Sequence, residues 1–194
     1  MILVLLLAWA KGGTTSPRSA VIAIAPVGSV DPDAVARLAP MLRAAFRVDV
    51  VVVPPVPVPR QGWNASRGQQ LSTAILDDLA RVRRPEWERL LGVSNVDLYV
   101  PDLNFVFGEA DPARSVAVFS LRRLQTGPGT EAKQQSERRA ATEAIHELGH
   151  TYGLRHCNDP HCVMWFSNTL SETDRKGTAF CAAHAAELTR ARSR

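Results

Sequence analysis

The chain is 194 residues long, with 45% hydrophobic and 22% charged residues, proportions ordinary for a globular protein. A single domain of this length buries about 70% of its unfolded surface and needs no disulfide framework; intrinsic disorder, collagen-like sequence and a multi-span membrane protein are excluded. Twenty-three Lys and Arg against 19 Asp and Glu give +4, a mild, dispersed excess that does not argue for nucleic-acid binding.

Residues 1–19 stand apart. Ile2 to Leu7 is an apolar run followed by Ala8-Trp9-Ala10 and Lys11, which resembles a signal-peptide core with an A-x-A cleavage site but lacks a positive start. It is too short for a stable membrane span, which needs about 20 apolar residues. Three readings stay open: a signal whose first codons are missing, a mis-assigned start, and a disordered tail. Localisation is expected to be cytoplasmic, or exported if residues 1–10 are the remnant of a signal. Gly12 to Arg18 reads as a linker, and residues 20–190 as one domain.

Strands and helices alternate from Ser19 onward. Ala20 to Ala25 is a short apolar run stopped by Pro26 and Gly28. Asp31 or Asp33 can cap a helix over Pro32 to Phe46, in which Pro40 is expected to cause a kink or a split. Val48 to Val53 has the character of a buried parallel strand, and the prolines of 54–59 end it. Ser72 to Arg84 is helical, with Ile75, Leu76, Leu79 and Val82 on one stripe. Val96 to Val100 and Ala117 to Leu121 are further strands, and Asn104 to Phe107 is expected to pair with the latter across a loop containing Gly108 and Asp111. Gly127 to Gly129 breaks the chain before a helix over Ser136 to Thr151. The alternation predicts an α/β layer with a mainly parallel sheet.

All three cysteines and all five histidines lie within residues 146–184, a concentration of metal-capable side chains. On a helix, His146 and His150 are four residues apart, so both imidazoles reach one ion, and Glu147 lies beside them as a general base without ligating. Gly153 ends the helix and lets the chain return, bringing His156 in as a third nitrogen. Three protein ligands leave one position open, the pattern of a catalytic zinc. A bare H-E-x-x-H occurs by chance on surface helices; the full run HELGHTYGLRH is far more specific.

Cys157, Cys162, Cys181 and His184 form a second constellation of four soft or borderline ligands in two pairs, suited to a closed structural zinc. The alternative, a Cys157–Cys162 disulfide, applies to an exported protein and leaves Cys181 unpaired. His161 is a possible substitute ligand.

HELGHTYGLRH resembles the extended zinc motif of the metzincins, and the combination with Cys157, Cys162, Cys181 and His184 is similar to the archaemetzincins. The segments VIAIAPVGSVD, SRGQQLSTAIL, GVSNVDLYVPDLNFVFGEA and AVFSLRRL also resemble that family. The resemblance implies a metzincin-like single-domain α/β fold: a mainly parallel twisted sheet with one antiparallel edge strand, packed by helices that include the zinc-binding one. It implies Met164 as the methionine of the turn beneath the metal, two Zn2+ per chain (one catalytic, one structural), and aminopeptidase-like hydrolysis of short peptides. It also implies that the edge strand near Asn104 to Phe107 holds substrate. Phe166 stands two residues after Met164, where some metzincins place a helper tyrosine, and the family's final C-x-x-C reads C-x-x-H here, ending in His184.

The expected activity is therefore zinc-dependent peptide hydrolysis by a metal-activated water, with a peptide or protein as substrate, no nucleic-acid partner, no membrane span and a monomeric chain. The alternative is a catalytically inactive zinc-binding scaffold, against which an intact Glu147 argues. Arg190, Arg192 and Arg194 suggest nucleic-acid binding more weakly still, because a three-histidine open site has no role there.

Overall fold

The computed structural model describes residues 20–193; the apolar segment and linker of residues 1–19 lie outside them. Its main sheet is built on β1 (Val21–Val27), which pairs in parallel with β2 (Asp49–Val52) on one side and β5 (Arg89–Ser94) on the other. β5 pairs in parallel with β8 (Val116–Ser120), and β8 carries the antiparallel edge strand β7 (Gly108–Asp111), giving the order β2-β1-β5-β8-β7. A smaller sheet is formed by β3 (Trp63–Asn64), β4 (Gln69–Leu71) and β6 (Leu98–Tyr99). The expected α/β class, with a mainly parallel sheet and one antiparallel edge, is what the chain adopts.

The two-residue period of the strands divides the core. Ile22, Ile24, Leu91, Val93, Ala117 and Phe119 face the helices α1 (Pro32–Phe46) and α3 (Thr130–Thr151). Ala23, Ala25, Leu90, Val116 and Val118 face α2 (Ser72–Val82), which answers with Ile75, Leu76 and Leu79. Val82, assigned to the same stripe, lies at the end of α2 and is exposed. The helix α4 (Leu170–Arg175) begins in a capping box between Thr169 and Glu172, and α5 (Ala182–Arg192) closes the chain.

Several elements depart from the sequence expectation. The helix α1 runs from its Asp31 cap to Phe46 without a split, because Pro40 faces solvent. β2 is parallel but not buried: it is an edge strand, leaving Val51 and Val52 exposed. The hairpin with β8 exists, shifted along the chain: residues 108–111, expected as loop, are the strand, and of 104–107 only the Phe107 carbonyl bonds to Ser120. The central strand β5 was not anticipated. Its apolar run is interrupted by Gly92 and preceded by charged residues, so it lacks the sequence signature of a buried strand. No helix of the described residues is long and apolar enough to cross a membrane.

Gly92 is required by packing. A Cβ there would stand 2.6 Å from Leu79 Cδ1 and 3.1 Å from Val27 Cγ2, so α2 approaches the sheet through the missing side chain. Gly92→Ala is expected to destabilise the fold by about 1–3 kcal/mol, the range for overpacking a core, read as a lower denaturant midpoint with an unchanged slope.

Candidate metal centres

The helix α3 begins six residues before its expected start and is buried continuously from Arg139 to Gly149. Ala140, Ala141, Ala144, Ile145 and Leu148 pack into the core, which turns His146, Glu147 and His150 toward a cleft. The end of the helix is a Schellman arrangement. Gly153, at φ +83°, donates to the His150 carbonyl at 2.8 Å, and Leu154 N–H reaches the Gly149 carbonyl at 3.3 Å. Leu154 is buried beneath this turn, and its own carbonyl points back at His150 Nδ1, 2.7 Å away. The cap that ends the helix thus also orients the second histidine.

His146 Nδ1 lies 2.8 Å from the Val163 carbonyl. A carbonyl only accepts, so Nδ1 carries the proton in both His146 and His150, and each Nε2 is left with a lone pair. Those two Nε2 atoms are 3.1 Å apart. Burial pushes the basicity of His146 well below the usual imidazole range and that of His150 down to about 4, so both rings are neutral near pH 7. His156, also lowered by burial, completes the group, with its ring 4.9 Å from His150 and 5.4 Å from His146. One ligand nitrogen from each of the three lies within 4.8 Å of the others. Converging neutral lone pairs repel unless a cation lies between them. Tetrahedral ligation at zinc–nitrogen lengths places two nitrogens about 3.3–3.4 Å apart, so the donor set fits zinc.

Glu147 is buried, and its carboxyl lies directly over Gly108 of β7. A Cβ at Gly108 would stand 2.6–2.7 Å from Glu147 Cγ, Cδ and Oε1. Burial, and then the nearby Glu143 carboxylate, raise the Glu147 carboxyl well above the usual range, while Lys176 opposes them. Lys176 and Glu143 are themselves a buried ion pair, 3.0 Å between Nζ and Oε1, with side chains only 1% and 3% exposed. Thr173 donates to the same Glu143 oxygen. The cleft, with a volume of about 230 Å3, is lined by the histidines and Glu147, by residues 103–110, and by Phe166, Ser167 and Asn168.

Met164 is fully buried with its sulfur against Gly149; a Cβ on Gly149 would stand 2.5 Å from Sδ. The same turn holds both clusters, because Val163 accepts from His146 and the Met164 carbonyl accepts from Cys157 N–H at 2.9 Å. Phe166 stacks on His156 with ring centroids 4.8 Å apart and brings no hydroxyl.

The second cluster brings Cys157, Cys162, Cys181 and His184 within 4.8 Å of one another. All three cysteines are free, and Cys157 Sγ and Cys181 Sγ are 3.9 Å apart. That is nearly twice the length of a disulfide and close to the ~3.8 Å separating two thiolates on one tetrahedral zinc. His184 Nε2 donates to the Arg155 carbonyl at 3.1 Å, leaving the Nδ1 lone pair 3.3 Å from Cys181 Sγ and 3.9 Å from Cys162 Sγ. Hydrogen bonding from the His184 backbone is the largest cause pulling the Cys181 thiol down to about 6, whereas burial pushes Cys162 up. His161 belongs to neither cluster and serves through its backbone, accepting from Gly177.

Residues 52–190 match the family model of Peptidase family M54. The chain belongs to peptidase family M54. Archaemetzincin from Pyrococcus furiosus is 37% identical over 170 residues, 82% of this chain and 88% of the relative. Archaemetzincin from Archaeoglobus fulgidus is 40% identical over 153 residues, 79% of this chain and 89% of the relative. The crystal structure of archaemetzincin from Methanopyrus kandleri matches with a TM-score of 0.82 at 34% identity, covering 95% of this chain and 99% of that one. A zinc-dependent peptidase from Methanocorpusculum labreanum matches with a TM-score of 0.77 at 27% identity, covering 86% of this chain and 99% of that one. This M54 chain is a zinc metallopeptidase of the archaemetzincin type, and its substrates are peptides or proteins.

Gly108, expected only as a loop residue, and Glu143 and Lys176 were not anticipated as parts of the site. No spacing pattern marks them: Gly108 matters for the space above Glu147, and Glu143 finds its partner 33 positions away (176 − 143). Gly153→Ala is expected to cost about 1–2 kcal/mol, the penalty for an L side chain in the left-handed region, measured by thermal and denaturant unfolding.

Proposed function

We propose that His146, His150 and His156 hold the catalytic zinc, that Glu147 is the general base, and that Cys157, Cys162, Cys181 and His184 hold a second, structural zinc. The observation that carries this reading is the pair of facing Nε2 lone pairs, 3.1 Å apart, on two rings whose Nδ1 atoms both point at backbone carbonyls. When bound, zinc lowers the pKa of a water towards neutral and polarises the scissile carbonyl. The rest falls to the protein. His146 and His150 are held in one tautomer by Val163 and Leu154. Glu147, raised by burial, takes the proton of the attacking water and returns it to the leaving amine. Gly108 keeps the space above its carboxyl open, and Met164 provides the floor on which α3 and the histidine turn rest.

The substrates proposed are short peptides, cleaved in an aminopeptidase-like manner. In support, the cleft is small, and besides Glu147 its lining carries Glu109, a carboxylate that suits the ammonium end of a peptide. Glu109 is held by Ser72 and Thr73 at the start of α2, where a carboxylate also suits the helix dipole. A quenched-fluorescent peptide set offered with free and with acetylated N-termini, with and without chelator, tests this. Equal turnover of the acetylated series would remove the aminopeptidase assignment, and chelator-insensitive turnover would remove the zinc mechanism.

Two outcomes follow for variants. Glu147→Gln is expected to lower kcat by about 10²–10⁴, the worth of a positioned base, with the zinc content of the wild type retained; undiminished turnover sinks the assignment. Elemental analysis of the metallated wild type should give two zinc ions per chain, and Cys181→Ser or His184→Ala should give one, with a lower melting temperature because a closed site contributes folding free energy directly.

A further inference from the structure

One wall of the cleft is a lip, residues 103–105, that has no β-ladder partner. The ladder contact nearest to it is the bridge of Val106 to Leu98. Its carbonyls are taken by side chains from far earlier in the chain. Arg67 Nη2 donates to the Leu103 carbonyl at 2.6 Å and to the Asn104 carbonyl at 2.7 Å. The buried Gln69 donates to the Asn104 carbonyl at 2.9 Å and to Asp97 Oδ2 at 3.0 Å. Arg67 also donates to Gln69 Oε1 at 2.6 Å and lies 4.5 Å over the ring of Tyr99. Asp97 is gripped at both oxygens by Arg123, whose guanidinium lies 4.1 Å over the ring of Phe105. The lip is therefore fixed by a clamp of polar side chains, part of it drawn from the SRGQQL segment whose role the metal chemistry leaves unexplained.

The clamp presents apolar groups to the cleft. Leu103 is 50% exposed and Phe166 48% exposed; both line the cleft, as does Phe105, and neither Leu103 nor Phe166 packs into either core cluster. Large apolar side chains left beside an ion-binding centre lose hydration only when something apolar covers them. A peptide entering this cleft does so. We propose that Leu103, Phe105 and Phe166 form an apolar subsite for an aliphatic or aromatic side chain beside the scissile bond, with Arg67 and Gln69 as positioning residues that hold the lip. The inference rests on the cleft being the peptidase site, and it names what that site selects. The exposed position of Arg67 makes it the informative residue to change, since its loss removes hydrogen bonds from the lip without opening the core.

The test uses the zinc-loaded full chain. Peptides differing only in the residue beside the scissile bond should show kcat/KM higher for Leu and Phe than for Ser and Asp by about 10–200-fold, the discrimination an apolar pocket gives. Arg67→Ala should raise KM for the Leu peptide about tenfold, as expected for removing hydrogen bonds that place a substrate wall, with kcat within about twofold. Zinc content and melting temperature should not move, and Arg67→Lys, which keeps one donor for the lip carbonyls, should recover part of the loss. Two readouts need no turnover. Leucine hydroxamate should bind zinc-loaded Glu147→Gln protein more tightly than aspartate hydroxamate, and the amides of 103–106 should exchange faster in both Arg67→Ala and Gln69→Ala. Equal affinity for the two hydroxamates overturns the apolar subsite, and unchanged KM with unchanged exchange in Arg67→Ala overturns the clamp. If no peptide is hydrolysed while leucine hydroxamate is still preferred, the catalytic reading falls and the subsite stands.

Discussion

Two hydrogen bonds from imidazole to backbone, His146 to Val163 and His150 to Leu154, are the constraint on which the rest of this molecule depends. Each fixes a ring's tautomer and rotation, so that the remaining nitrogens converge as lone pairs. The two acceptors come from different parts of the structure. Leu154 belongs to the cap that terminates α3, so the turn that stops the helix and the turn that orients its last ligand are one object. Val163 belongs to the segment beneath the helix, where the absence of a side chain at Gly149 lets the neighbouring Met164 pack against the helix.

That lower segment couples the two clusters. Within three residues, Cys162 offers a thiol to the second group, Val163 holds His146, and Met164 supports α3 and accepts from Cys157. His156 and Cys157 are neighbours in the chain but face different clusters. Ordering the four-ligand cluster therefore restricts where His156 can lie. Preorganisation of this kind, obtained by tying a ligand-bearing loop to a rigid support, keeps the entropy of ordering out of the reacting state.

The buried pair Glu143–Lys176 shows a cost carried beside the site. Removing two charges from water is expensive, and such a pair holds together only because each partner satisfies the other. Its position one turn before Glu147 on α3 means that loss of Lys176 would leave a bare carboxylate next to the proposed base. Lys176 follows α4, and Asp174 within α4 grips Arg139 of α3 with both carboxylate oxygens, so two ion pairs anchor the same short helix to the active-site helix.

How much of this was legible in the sequence depended on the range of the interaction. The helix from Pro32 to Phe46, the helix bearing His146 and His150, and the glycine that ends it all follow from local periodicity and capping chemistry, which act over three to five residues. The same local spacing named the donors that the structure gathers into two clusters: His146, His150, His156 and Cys157 lie within twelve consecutive positions, Cys162 follows five residues on, and Cys181 and His184 form a C-x-x-H pair. What tertiary structure alone decided was long in range. The strand Arg89–Ser94 lies between β1 and β8, and α2 packs against the gap left by its Gly92. The edge hairpin pairs Gly108 with Phe119 and so brings the glycine against the Glu147 carboxyl, a contact between residues far apart in the chain. The lip at 103–105 is held by Arg67 and Gln69 rather than by a ladder. No periodicity encodes a space, a carbonyl shared with a residue more than thirty positions away, or a buried charge meeting its partner, because each exists only once the sheet and helices have closed around it.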